Sequence, residues 1–297
     1  MPQRIVISGA SGLIGTALAS SLRADGAEVT TLVRRTPRDA SEVQWTPGDR
    51  ELDPDVLAGA DAVVALGGAS VGRLPWTPRY RRELVESRLT TTRTLATAVR
   101  MLRDDAPSLI SASAVGYYGS APGEILTEAS LAGDTFLAQL CVRWEQEALR
   151  AGEQTRVALL RTAPIIHRQG VLKPLIQLTR FGVAGPIGPG TQIWPWISLE
   201  DEVRGIRHVI DQRLEGPVNF TGPTRASAND IGRALAQRMR RPFWLPAPTW
   251  ALRLALSRAA ADSLLVSDAD VRPTALEDSG FEFTHKTAKQ AVGPGRG

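Results

Sequence analysis

The sequence predicts an α/β protein, a doubly wound parallel sheet with a small, mostly helical C-terminal lid domain. Three observations predict it. First, the stretch Ser8-Gly9-Ala10-Ser11-Gly12-Leu13-Ile14-Gly15 stands between an apolar run, Ile5-Val6-Ile7, and an apolar-periodic segment, Leu13, Ala17, Leu18 and Leu22, which is the order strand, glycine turn, helix. Second, short β-runs and helical stretches alternate from there to residue 162, as in a parallel sheet with helices on both faces. Third, the texture changes beyond Pro164 to Gly/Pro-rich loops, tryptophans and short helices. Residues 1–163, completed by 191–214, are therefore expected to form the Rossmann unit, and 164–190 with 215–297 the lid.

The glycines at 9, 12 and 15 are spaced G-x-x-G-x-x-G. Glycine lets the backbone turn sharply and approach a pyrophosphate, whose charge then sits on unpaired helix N–H groups. The next strand, Glu28-Val29-Thr30-Thr31-Leu32-Val33, ends at Arg34-Arg35. An acidic residue in that slot would bond the ribose 2′-hydroxyl of NAD, whereas guanidinium suits a 2′-phosphate, each charge-assisted bond contributing roughly 1.5–3 kcal/mol. NADP is the expected cofactor.

Residues 36–60 read as an irregular connection with an edge strand near Val43-Trp45, and Asp61 to Gly68 as a buried strand running into glycines. Thr77-Pro78 is a helix start, an N-cap hydroxyl followed by proline at the first helical position. This helix is expected to run to about Arg103 with Leu84, Thr91, Leu95, Val99 and Leu102 on one stripe. Arg88 falls in that stripe, so it either snorkels to the helix edge or meets a phosphate or carboxylate. Leu109 to Gly119 is a strand that ends in small hydroxyls and places Tyr117 and Tyr118 on a glycine-bounded loop, where a doubly wound sheet binds ligands. A helix over 134–150 and a strand over 156–162 follow. In the lid, Gln192-Ile193-Trp194-Pro195-Trp196 reads either as a ligand wall or as core packing. After Gly216 come a short strand, a helix over 227–240 and two or three short helices.

Composition bounds the partners. Hydrophobic residues make up 43% of the 297 and charged residues 22%, enough apolar content for a sizeable core. The net charge of +4 is carried by arginine, since lysine occurs only at 173, 286 and 289. Arginine clusters such as Arg79-Tyr80-Arg81-Arg82 and Arg238-Met239-Arg240-Arg241 accompany no nucleic-acid motif, so nucleic acid is not expected. No apolar run approaches a membrane span, no signal peptide is expected, and a cytoplasmic protein with no membrane partner follows. Cys141, the one cysteine, falls within an amphipathic helix and is expected to be a buried structural thiol. His167, His208 and His285 are isolated in sequence, and no metal is expected. The partner is a small-molecule substrate, with a homodimer left open.

With these stretches in place, the chain resembles the extended short-chain dehydrogenase/reductase superfamily, and within it the atypical, epimerase-family (sugar-nucleotide-epimerase-like) branch with its own C-terminal domain. The resemblance runs through Gly9 to Gly15, Asp61 to Gly68, Ser87-Arg88, Ser111 to Gly119, Trp144-Glu145, Arg161-Thr162, Gln192 to Asp201, Val271-Arg272-Pro273 and Gly280-Phe281. It implies NADP(H) binding by Gly9, Ser11, Gly12, Leu13, Ile14, Gly15, Arg34 and Arg35, with contacts from Leu66, Gly67, Glu83, Arg88 and Ile165. The superfamily works through Ser, Tyr and Lys, with Tyr-x-x-x-Lys on the helix that here spans 134–150. This sequence departs from that pattern. The helix offers Leu137 and Cys141, or Phe136 and Leu140, and the residues four after Tyr80, Tyr117 and Tyr118 are Leu84, Ala121 and Pro122. Ser113 matches the superfamily serine, and Tyr117 is the aromatic hydroxyl expected near it. Without lysine a tyrosine is a poor base at neutral pH but an adequate acid. The leading expectation is an NADP(H)-dependent oxidoreductase or epimerase-like enzyme on a small carbonyl or sugar-nucleotide-like substrate, with Ser113 orienting a substrate oxygen and Tyr117 as acid. The alternative is an NADP(H)-binding sensor or interaction protein without turnover.

Overall fold

A computed structural model describes residues 2–170 and 172–293. Seven parallel strands form one sheet in the spatial order Gly216–Phe220, Val157–Thr162, Ser108–Ala114, Ala62–Ala65, Arg4–Ser8, Glu28–Val33, Glu42–Gln44. The chain starts at Arg4–Ser8 and works outward to the Glu42–Gln44 edge. It then crosses back to Ala62–Ala65 and builds toward the other edge, so the winding reverses between Arg4–Ser8 and Ala62–Ala65. In such sheets the crevice for ligands opens at the carboxyl ends of the strands, at this reversal.

Side-chain alternation along the strands sorts the core into two layers. Ile5, Ile7, Val64, Ile110, Leu160 and Phe220 face helices Leu13–Ala24 and Leu199–Asp211, meeting Leu18, Leu22, Val203 and Ile206. Val6, Val63, Leu109 and Leu159 face the opposite way, onto Leu95, Ala96 and Val99 of helix Pro78–Met101 and Ala148 of helix Phe136–Leu149. The Thr77 hydroxyl accepts the Tyr80 N–H at 3.2 Å with Pro78 behind it, as the sequence predicts. The helix stops at Met101, two residues before the expected end.

The residues expected to form the lid hold helices Leu172–Arg180, Ala228–Met239, Thr249–Leu256, Arg258–Leu264, Thr274–Asp278 and Ala288–Val292, of which Thr274–Asp278 packs on the main sheet through Leu276. One expectation is corrected here and one open alternative is decided. The strand after Gly216 belongs to the main sheet, paired in parallel with Val157–Thr162, and not to the lid. Trp194 and Trp196 are core and not a ligand wall: 7% and 2% exposed, they pack with Ile166, Leu172, Ile231 and Leu235. Their indole N–H groups donate to the Leu265 and Thr224 carbonyls at 3.1 and 2.8 Å.

Candidate functional site

Gly9 adopts φ +77°, and a Cβ there would lie 2.7 Å from the carbonyl carbon of Leu66, the residue that follows the neighbouring strand. The close approach of these two loops at the sheet reversal therefore requires glycine. A Cβ on Gly15 would likewise collide with the Gly9 carbonyl oxygen. Gly12 is the N-cap of helix Leu13–Ala24, with no side-chain cap and no acidic residue in the first turn. That helix end keeps its positive dipole uncompensated by the protein, the condition for holding a phosphate. Ser11, Gly12, Leu13 and Ile14 all reach solvent there.

At the end of the second strand the two arginines differ. Arg35 forks onto Glu42 of the edge strand, Nη1 and Nη2 lying 2.7 and 2.6 Å from the two carboxylate oxygens. This bond, with the Arg38 N–H, holds the Glu42 carboxyl down at about 2. Arg34 is exposed and meets no carboxylate among the described residues, so it is the member of the pair available to an incoming anion.

Arg88 does not snorkel. Its side chain is 9% exposed and folds inward, Nη1 donating to the Leu84 carbonyl at 3.0 Å, with the guanidinium 5.0 Å from the Trp144 ring centroid. No carboxylate pairs with it among the described residues, and burial pulls its pKa down from the ordinary arginine value. It lies directly beneath the glycine loop: a Cβ on Gly68 would stand 3.2 Å from its guanidinium carbon. Leu66 and Gly67 are half-buried in the same loop, which is tied to the helix by the Ala69 N–H donating to Ser87 Oγ at 2.9 Å. Glu83 is exposed one turn earlier, and Ile165 is 9% exposed on a short strand paired with Ile197.

The centre of the sheet holds a different arrangement. Strand register places Ser113 beside Arg161 and Arg161 beside Asn219, so the three side chains form a row on one face. Helix Phe136–Leu149 lays Glu145 over that row. Arg161 bonds both Glu145 oxygens at 2.9 Å, and Ser113 Oγ donates to Glu145 Oε1 at 2.7 Å. Arg161 also donates to the Tyr118 hydroxyl at 3.0 Å, which in turn donates to Asn219 Oδ1 at 2.7 Å. Arg161 and Glu145 are both nearly inaccessible to water. Burial raises the Tyr118 pKa and pushes the Cys141 thiol, which bonds Ser113 and the Ala114 backbone, up to about 12. Cys141 is thus an inert structural thiol.

Ser113 is consequently sealed. Its proton goes to Glu145, and Cys141 lies on its other side, so it has none to donate to a substrate oxygen. Tyr117 differs from Tyr118. It is half-buried, its ring lies under the Arg161 guanidinium at 3.5 Å, and its hydroxyl has no protein partner among the described residues. The fold thus brings the glycine turn, Gly67 and Arg88 to the reversal and Ser113 and Tyr117 to the neighbouring strand end.

On the opposite face, Thr162 Oγ1 donates to Glu202 Oε1 at 2.9 Å. The other Glu202 oxygen has no partner among the described residues, and burial raises this carboxyl to about 8. Glu202 is fully enclosed, and its place on the apolar stripe with Val203, Ile206 and Val209 is the sequence signal that could have found it.

A glycine turn at the reversal of a doubly wound parallel sheet defines a Rossmann-like nucleotide-binding fold. The chain belongs to the NAD dependent epimerase/dehydratase family, whose model matches residues 5–220, and a domain of unknown function matches residues 247–293. It is 40% identical over 97% of its length to the epimerase family protein ML0860 of Mycobacterium leprae, covering 94% of that protein. Among solved structures it is similar to the human epimerase family protein SDR39U1 (isoform 2) with NADPH, at TM-score 0.87, 26% identity and 98% coverage of both chains. It also matches a nucleoside-diphosphate sugar epimerase from Corynebacterium glutamicum, at TM-score 0.79 and 31% identity, over 98% of this chain and 57% of that one.

Proposed function

We propose that the chain binds NADP(H) and acts as an oxidoreductase or epimerase-like enzyme on a small carbonyl or sugar-nucleotide-like compound, with Tyr117 as its proton donor. The protein's own groups fit the cofactor. Gly9 and Gly15 leave a cradle that side chains would fill, the helix at Leu13 has no cap, and Arg88 is a buried cation without an acid. Gly9, Ser11, Gly12, Leu13, Ile14 and Gly15 would hold the pyrophosphate, Arg34 the 2′-phosphate, and Arg88 a further anionic group. NADPH seen with the human relative supports this choice over NAD. When bound there, NADPH would supply the reducing hydride, and Tyr117 would supply the proton.

The observation that carries the reading is the contrast between hydroxyls. Ser113 is spent on Glu145 and Tyr118 on Asn219, while Tyr117 keeps its proton for a ligand. Tyr117→Phe retains the ring under Arg161 and removes the donor. NADPH oxidation across a panel of aldehydes, ketones and nucleotide-sugar ketones should fall roughly 10²–10⁴-fold, with NADPH affinity unchanged. An unimpaired variant removes Tyr117 from the role. The sealed Ser113 and the apolar Leu137 and Cys141 favour a second reading, a binding protein without turnover. That reading takes over if the unmutated protein oxidises NADPH with no compound in the panel.

A further inference from the structure

The lid carries a surface that the crevice does not use. Two acid-free stretches run through it. Residues 163–199 contain Arg168, Lys173 and Arg180; residues 231–261 contain Arg233, Arg238, Arg240, Arg241, Arg253 and Arg258. With no Asp or Glu in either stretch and a net charge of only +4 overall, the rest of the chain is net acidic. The fold lays the stretches side by side. Trp244 N–H donates to the Ala184 carbonyl at 2.8 Å, Gly188 N–H to the Ala247 carbonyl at 2.9 Å, and Ile187 bridges Ala247.

Along this seam large apolar side chains point outward: Phe181 is 78% exposed, Trp244 62%, Trp250 70% and Leu254 83%. Helix Thr249–Leu256 has no buried residue, although Arg253 is its one charge. Arg253 and Arg258 share Asp262 at 2.8 and 3.6 Å. Arg180, Arg240 and Arg241 are exposed and meet no carboxylate among the described residues. Exposed aromatic and aliphatic tips among unpaired cations suit one kind of surface, an apolar layer beneath anionic headgroups.

We propose that this face of the lid docks reversibly on an anionic phospholipid surface. Phe181, Trp244, Trp250 and Leu254 enter the headgroup region, and Arg180, Arg240 and Arg241 meet lipid phosphates. A second copy of the chain fits less well, because it would press two net-cationic faces together. A nucleic acid would satisfy the arginines and leave Leu254 and Val183 without a partner. The sequence reading of no membrane partner rests on the lack of a spanning segment. No helix among the described residues is long and apolar enough to cross a membrane, and surface docking needs none.

The test is co-sedimentation of the full chain with phosphatidylcholine vesicles and with phosphatidylcholine–phosphatidylglycerol vesicles. Binding to the anionic vesicles should be roughly tenfold stronger, fall with added salt and shift tryptophan emission to the blue. Trp250→Glu with Leu254→Glu should abolish the blue shift and most of the binding. Arg240→Glu with Arg241→Glu should remove the preference for anionic lipid. Both should leave thermal unfolding unchanged, since these side chains are exposed. Equal binding to the two vesicle types, or variants that bind as the parent does, overturns the proposal. So does tighter binding to a single-stranded oligonucleotide than to the vesicles, or a dimer in sedimentation velocity that Trp250→Glu disperses.

Discussion

Arg161 and Arg88 are both buried on the same side of the sheet, and only one of them has a carboxylate. Arg161 is clamped by Glu145, bonded to Tyr118 and stacked on Tyr117, so its charge is satisfied within the protein. Arg88 has a backbone carbonyl, an indole face and nothing anionic among the described residues. Desolvating a guanidinium costs several kcal/mol, and a fold tolerates that without a partner chiefly where a ligand supplies one. The difference teaches which charge organises the fold and which awaits an anion. Arg161 with Glu145 ties Ser113 and Tyr118 into one buried network, and Arg88 under the Gly67-Gly68 loop is the cation proposed to meet the cofactor.

The contrast breaks most visibly at Glu145. Glu145→Ala leaves Arg161 buried and uncompensated, a loss of about 3–5 kcal/mol, so thermal unfolding should drop steeply or the protein should fail to accumulate. Replacing both partners at once, Glu145→Leu with Arg161→Met, should recover much of that loss. A double variant as damaged as the single one contradicts the pairing account.

A third buried charge sharpens the comparison with a different sign. Glu202 has its carboxyl raised by burial to about 8, above the value it takes when unfolded. Between about pH 4.5 and 8 the folded state therefore binds more protons than the unfolded state, and stability falls as pH rises through that window. Urea unfolding at intervals across it should show a decline on the order of a few kcal/mol. Glu202→Gln should flatten the profile and be the more stable protein at the alkaline end; a parent profile flat over this window removes the claim.

The smallest effect concerns Arg34. NADPH should bind about tenfold more tightly than NADH, a difference of about 1.4 kcal/mol, and Arg34→Asp should erase most of it. Because Arg35 is held by Glu42, Arg35→Ala should change the ratio less. Equal affinities for the two cofactors in the parent would set aside the reading of this strand end.

What was legible in the sequence depended on local physics. The glycine turn, the buried runs and the Thr77-Pro78 start are set by neighbours within a few residues, and Arg88 stood out because it interrupts an apolar stripe. What was not legible depended on register and topology. The Arg35–Glu42 fork needs the three-residue edge strand to pair in one particular way. The row of Ser113, Arg161 and Asn219 exists only because three strands separated in sequence align. Gly216–Phe220 reads as part of the lid because its sheet partner lies 58 residues upstream, Gly216 against Ala158. Trp194 and Trp196 carried no sequence mark to separate a ligand wall from core, since an indole suits either until its N–H partner is known.

The most direct test of the contrast between the two arginines is a calorimetric titration of Arg88→Leu with NADPH, paired with thermal unfolding of the same protein without cofactor. NADPH affinity should fall by about tenfold or more, the value of one charge-assisted contact, while the cofactor-free protein unfolds at the same temperature or higher because a desolvated charge is gone. Undiminished affinity, or a cofactor-free protein destabilised as Glu145→Ala is, would show that Arg88 is a structural residue and contradict the account.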